Sequence, residues 1–316
     1  MCSGSDAPDA APPMSALGVR RARHASTDAQ RRGRFFNSAN AFNVKLPPVP
    51  AGIHAEPARQ ALAADAPTGY VPCDQSAALA CPWPATTPFM LARYARVRPG
   101  ERLEADFVAS GSLWYVIAGT GQARCGDETL AWSAGDIFHL PAGPAELLAS
   151  GTTPAVLWLV TDEPLLAHLG LGTRPARAGA VHFTAADIAG EIDAIHRTVP
   201  DAGTSGMAVV FSSAALEHTR NLMPGLTLSL NTLPPHRHQP AHRHNSAALT
   251  LVIAGEDCHS RVDGVRCPWS PWATLVTPPT AVHSHHNDGS RRAEFLIVQD
   301  GGLYYQARTM GFQFME

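Results

Sequence analysis

The feature that most constrains this chain is an internal repeat. The segment Trp114-Tyr-Val-Ile-Ala-Gly119 returns as Thr250-Leu-Val-Ile-Ala-Gly255, with the shared Val-Ile-Ala-Gly starting at 116 and again at 252. Downstream, Trp132-Ser133 matches Trp269-Ser270 and Leu140-Pro141 matches Thr277-Pro278. The offset is 136 at the first match and 137 at the other two, so one register with a single insertion links the copies. Each copy is a series of short apolar runs broken by Gly or Pro: Leu113–Ala118, Asp136–Leu140 and Val156–Val160 in the first, then Leu226–Leu230, Leu249–Ala254, Ala273–Thr277 and Glu294–Gln299. Two similar β domains in tandem follow from that pattern, and the expected fold class is all-β.

The rest of the composition fits. A chain of 316 residues holds two domains, and 45 % hydrophobic residues supply both cores. The net charge of −3 points to no polyanionic partner, so no nucleic acid is expected. Six cysteines without a CxxC pair suggest neither a zinc ribbon nor a disulfide framework. No apolar run is long enough to span a bilayer and the N-terminus lacks a secretory h-region, so the expected location is the cytoplasm, away from membranes. Residues 1–45, with several arginines and no sustained apolar periodicity, read as a flexible leader. One helix stands out between the copies. Thr184 is a good N-cap, and Ile188, Ile192, Ile195 and Val199 recur at helical spacing. The expected layout is therefore 46–175 and 226–316 as the two β domains, with 176–225 as a linker carrying this helix.

Histidines carry the chemistry. On an extended chain, residues i and i+2 share a face, so His242 and His244 aim together while Arg243 aims away. His283 follows the run Ala273–Thr277 and a Pro-Pro turn, and a small barrel can bring it to the same interior point. Imidazole suits Fe, Zn, Cu and Ni alike, so the ligand type does not select the metal. A second His-Arg-His at 236–238 lies between Pro235 and Pro240; the repeat register selects the later pair. His259 reads as a surface residue, His286 as exposed, and the tryptophans as packing.

These residues resemble the cupin superfamily. The His-x-His followed by Leu251-Val-Ile-Ala-Gly255 is similar to the first cupin motif, and Pro278, His283 and Asn287 to the second. The stretch from Pro240-Ala-His-Arg-His244 through Val262-Asp-Gly-Val-Arg-Cys267 to His283-Ser-His285 resembles the gentisate 1,2-dioxygenase group, which includes salicylate dioxygenases. The resemblance implies two tandem cupin (jelly-roll) barrels and an Fe(II) ion held by His242, His244 and His283. It also implies an enzyme that inserts O2 into a hydroxylated aromatic ring, with a carboxylate expected on that ring. His285 falls beside the metal as a candidate catalytic residue that does not bind it. Where the group carries a carboxylate-gripping arginine, this chain has Thr250; Arg220, Thr250 and Asn231 are the substrate-side candidates. The same register puts Asp106, Val108 and Glu146 of the first copy opposite His242, His244 and His283, and that copy is expected to hold no metal. By resemblance, a homo-oligomer, a tetramer or dimer, is expected. The rival readings are a metal-dependent cupin isomerase or lyase, and a non-catalytic cupin that binds a small ligand.

Overall fold

A computed structural model describes residues 11–42, 44–174, 179–201, 204 and 206–315. It separates into two compact units, 1–47 and 48–316. Within the first, Arg20 bridges Phe35, and a short helix, Asp28–Arg32, starts in a capping box made by Thr27 and Gln30. The first ten residues of the expected leader lie outside the described residues.

The second unit is built from four antiparallel sheets, two for each sequence copy. In the first copy a six-stranded sheet is centred on Gly111–Ala118 and Ala155–Thr161, and a four-stranded sheet holds Thr120–Cys125 and Ala145–Ser150. In the second copy the six-stranded sheet is centred on Ala248–Ala254 and Ala293–Gln299. Its partner sheet, also six-stranded but of shorter strands, runs Val265–Pro268, Cys258–Val262, His283–Asn287, His242–His244, Phe312–Phe314, with Arg237–His238 also paired to His283–Asn287. The repeat in the sequence is thus a repeat of a large sheet, built on the longest apolar strands, paired with a sheet of shorter strands.

The two large sheets are buried on both faces, which explains their nearly continuous apolar runs. Leu113, Tyr115 and Trp158 from one large sheet share a core with Leu249, Leu251, Val276 and Leu296 from the other. Trp158 donates its indole N–H to Thr274 Oγ1 across that core (2.9 Å). The alternate residues turn inward to each copy's own core. In the first copy these are Trp114, Val116 and Phe138, which meet Trp132 and Leu147 of the four-stranded sheet. In the second they include Ala248, Val252, Trp269 and Phe295.

Both copies close the same loop in the same way. A carboxylate just after the last long strand accepts a backbone N–H from the residue leading into the central strand: Asp162 from Ser110 (2.7 Å), Asp300 from Ala247 (2.8 Å). Burial raises both carboxyl pKa values, that of Asp300 to about 7.

Edge strands cross between the copies. Gly52–His54, read from sequence as part of the first domain, pairs with Thr274–Thr277 of the second. Val181–Phe183, read as linker, extends the first copy's large sheet, and Met207–Phe211, also read as linker, is the outer strand of the second. The helix Ala185–His196 lies between these two strands in the chain, capped by Thr184 as the sequence predicts. Its Ile188 and Ile192 enter the shared core; Val199, beyond its end, is exposed. Among the described residues no helix is long and apolar enough to cross a membrane.

Candidate metal centre

In the strand His242–His244 the two histidines are buried and Arg243 is exposed, reaching Gln313 Oε1 at 2.7 Å. This is the strand alternation expected from the sequence. His242 stands directly opposite His283 on the neighbouring antiparallel strand. His242, His244 and His283 each offer a ring nitrogen, and these atoms all lie within 4.8 Å of one another; among the described residues this is the group able to hold a metal ion.

The chain fixes which nitrogen each ring presents. His242 Nδ1 donates to Pro240 O (2.8 Å), His244 Nδ1 to Ser246 O (2.9 Å) and His283 Nδ1 to Ala281 O (2.9 Å). A carbonyl only accepts, so Nδ1 carries the hydrogen in all three and Nε2 is left with its lone pair. Burial lowers all three pKa values, to about 4 for His244 and about 3 for His283, with the neighbouring histidines adding to the effect at these two. Three neutral, pre-oriented imidazoles suit a divalent transition-metal ion, and the backbone carbonyls behind them are the partners such ligands commonly have.

The cluster lines a cavity of about 250 Å³. Thr250 and Asn231 line it too, as does His285; Arg220 does not. Arg220 is exposed, past the turn Glu217–Thr219, and lines a separate depression with Val210 and His218. No Lys or Arg lines the cavity among the described residues. The Thr250 hydroxyl is buried without a partner, while Asn231 Nδ2 reaches Ser229 Oγ (2.9 Å). Ala248 also lines the cavity wall. Asn287, the last residue of the second motif, is structural: its Nδ2 donates to the carbonyls of Leu233, Pro234 and Arg291 and ties three chain segments together.

The sequence register for the first copy is off by one residue. Glu104 pairs with Glu146, and Ala105 N donates to Ala145 O, so Ala105 and Ala145 occupy the places of His242 and His283. Both alanines are buried in the first copy's core, with Phe107 packed against it. A one-residue slip exchanges the faces of a strand, so Asp106 and Glu146 point outward, and Glu146 pairs with Arg102. Trp114, the counterpart of Thr250, fills the interior and stacks on Phe138 (5.7 Å, 11°). The first copy is solid where the second is hollow.

Other expectations need correction. His259 is buried and stacked on His286 (4.6 Å, 6°), and His286 is half-buried. The rings shield one another by stacking across strands, His286 lying between His259 and His238, which the local polar sequence does not reveal. The sequence reading also missed Phe312, stacked on His242 (5.2 Å), and Gln299, which bonds Ser246 behind His244. The Phe312–Phe314 strand lies far from the motif in the chain and carries no signal of its own.

Comparison with known proteins agrees with this architecture. Residues 229–299 match the Cupin domain family. A gentisate 1,2-dioxygenase from Ralstonia sp is 35 % identical over 78 residues, covering 25 % of this chain and 22 % of that protein. A 5-aminosalicylate 1,2-dioxygenase from Comamonas sp is 31 % identical over 93 residues, covering 29 % and 25 %. The matched part is thus about a quarter of the length of these relatives. The crystal structure of salicylate 1,2-dioxygenase from Pseudoaminobacter salicylatoxidans with gentisate superposes with a TM-score of 0.72 over 86 % of each chain at 11 % identity. That identity speaks for the fold alone. Residues 229–299 thus match a cupin domain, and over most of its length the chain shares the fold of that dioxygenase structure.

Proposed function

We propose that the protein is an Fe(II)-dependent dioxygenase that cleaves a hydroxylated aromatic ring. The observation that carries this reading is the trio of neutral Nε2 donors in a cavity inside the domain related to gentisate and aminosalicylate dioxygenases. His242, His244 and His283 would hold the ion. When bound, iron supplies the redox link between ring and O2 that side chains lack.

The chain's own residues bind and orient the ring. Because the three histidines are neutral, they leave the ion's charge uncancelled. Among the described residues no Lys or Arg lies on the wall, so the ion would be the one full positive charge there to meet an ionised hydroxyl or a ring carboxylate. Ile297, Met310 and Phe312 offer apolar contact to a ring, and the volume suits one ring better than a large polycycle. Thr250 and Asn231 offer neutral hydrogen bonds to ring substituents. His285, buried beside the cluster, hydrogen-bonds a substrate oxygen. A homo-oligomer accompanies this reading, and light scattering that gave a monomer mass would count against it.

The test is oxygen uptake by Fe(II)-loaded protein against salicylates, gentisate, hydroquinones and hydroxynaphthoates, with ring loss followed by ultraviolet absorbance. Uptake matched to ring loss is expected for at least one compound. No uptake with iron, together with turnover under Mn, Ni or Zn, would transfer the site to an isomerase or lyase.

A further inference from the structure

The tautomer of His285 is set by a chain of two hydrogen bonds. Trp269 Nε1 lies 2.8 Å from Ser260 Oγ, and Ser260 Oγ lies 2.7 Å from His285 Nδ1. An indole N–H can only donate, so Ser260 accepts from Trp269. Ser260 is fully buried, and His285 Nδ1 is the acceptor its own hydroxyl hydrogen can reach. Were Nδ1 protonated instead, Ser260 Oγ would accept twice and its O–H would be buried unsatisfied, an arrangement that costs about 1–3 kcal/mol. Ser260 therefore donates to Nδ1, and His285 carries its hydrogen on Nε2. That is the reverse of His242, His244 and His283, whose Nδ1 atoms donate to carbonyls.

The first copy shows the same place without this chain. Trp132 is the counterpart of Trp269. Ala123 faces Leu147 there, as Ser260 faces His285 in the second copy. With serine and histidine replaced by alanine and leucine, the Trp132 indole N–H is buried without a partner. The tryptophan is common to both copies, and the polar chain exists only where the cavity does.

We propose that Trp269 and Ser260 are positioning residues that hold His285 as a neutral Nε2–H donor aimed into the cavity. Phe295 and Trp269 pack against its ring, at 4.8 and 6.0 Å between centroids, and fix its plane. Among the described residues its Nε2 has no hydrogen-bond partner, and the residue lines the cavity. The group it recognises is thus an acceptor, an ionised hydroxyl or a carbonyl oxygen on the ring. With Nδ1 taken by Ser260 and a hydrogen on Nε2, His285 is unsuited to be a fourth ligand. This inference rests on the proposed function for its substrate but not for its geometry.

The test separates the two. In full-length, metal-stripped protein with 15N-labelled histidine, long-range 15N–1H correlation reads each ring's tautomer. His242, His244 and His283 should be Nδ1–H and His285 Nε2–H. An Nδ1–H tautomer at His285 overturns the proposal whatever the enzyme's activity. Ser260→Ala should erase the pure Nε2–H signature and Ser260→Thr should restore it. Trp269→Phe, which keeps an aromatic ring, should shift the His285 Nδ1 resonance while leaving the other three unchanged. With Fe(II) and an active substrate, Ser260→Ala should retain its iron while kcat falls about fivefold, the effect of one hydrogen bond of about 1 kcal/mol. A Ser260→Ala protein with the wild-type His285 signature would overturn the proposal even if it turned over slowly.

Discussion

The metal-free protein should lose stability steeply on mild acidification, and two histidines account for a defined part of that loss. The folded pKa values are about 4 for His244 and about 3 for His283, against an unfolded value of 6.5. Both are bases held neutral by burial, so the unfolded chain takes up protons first as pH falls. Stability is fully present above about pH 6.5 and is lost as pH drops from there toward the folded values. At pH 5 the folded rings are still neutral while the unfolded rings are almost fully charged. The loss relative to pH 7 is then set by the unfolded value alone, about 2 kcal/mol for each ring and about 4 for the pair. For a unit of this size that corresponds to a fall in Tm of about 8–16 °C. Scanning calorimetry of chelator-treated protein at pH 7, 6 and 5 measures it. The control is the His244→Gln, His283→Gln double variant, in which the other buried histidines still titrate. The variant's Tm should fall between pH 7 and 5 by about 8–16 °C less than the wild type's. An equal fall in both proteins would refute the claim that these rings are buried neutral.

Purified protein is expected to hold about one equivalent of iron by elemental analysis, and His283→Ala should lose it, because two remaining imidazoles hold a divalent ion weakly. Changing Asp106 and Glu146 together to Ala should leave the iron content unchanged and cost less than about 1 kcal/mol of stability, since the Glu146–Arg102 pair is on the surface; a halved metal content would contradict the outward register. His285→Ala should keep its iron while kcat on an active substrate falls by at least about tenfold. Loss of iron in that variant would make His285 a ligand.

The parts of this molecule legible in the sequence are those set by local periodicity. The strand positions, the inward pairing of His242 with His244, and the Thr184 cap all depend on neighbours within a few residues. Rows of apolar residues marked the two-faced sheets. Less legible were the features that depend on distant pairing. Gly52–His54 joins the far copy's sheet because an open edge there accepts it, and three residues carry too little pattern to announce a partner more than 200 positions away. The register of Asp106 and Glu146 failed because the insertion between the copies does not fall in one place. The connection before Ala145–Ser150 has one residue fewer than its counterpart before His283–Asn287, so an alignment fixed on Trp132 and Trp269 drifts by one at Glu146. From Ala105 to Val116 the first copy instead has one residue more than the second has from His242 to Val252, so an alignment fixed on the shared Val-Ile-Ala-Gly drifts by one at Asp106. One residue is enough to exchange inside for outside in a strand. His259 was misread because burial there comes from stacking on His286, not from its own strand.

The contrast between the copies shows how little sequence separates a filled core from a histidine-lined cavity. Both keep a tryptophan at the strand end, a carboxylate that pins the entering loop, and the same sheet order. What differs is the inward-facing set. Ala105, Phe107, Trp114, Ala145 and Leu147 pack into a dry core, whereas His242, His244, Thr250, His283 and His285 line a cavity. A cavity with a buried, unpartnered Thr250 hydroxyl is less stable than a filled one, because it forgoes packing and leaves a polar group unsatisfied. The solid first copy contributes stability through the core the two large sheets share. That coupling has a consequence for engineering. Thr250→Trp would place in the second copy the side chain that fills the first, and because Trp114 relies on Ser112 for its indole N–H, the new tryptophan facing Ala248 would lack that partner. It should occupy the space of the ring substrate, leave His242, His244 and His283 to bind metal, and abolish turnover. Retained turnover in a metal-replete Thr250→Trp protein would mean that the ring binds elsewhere.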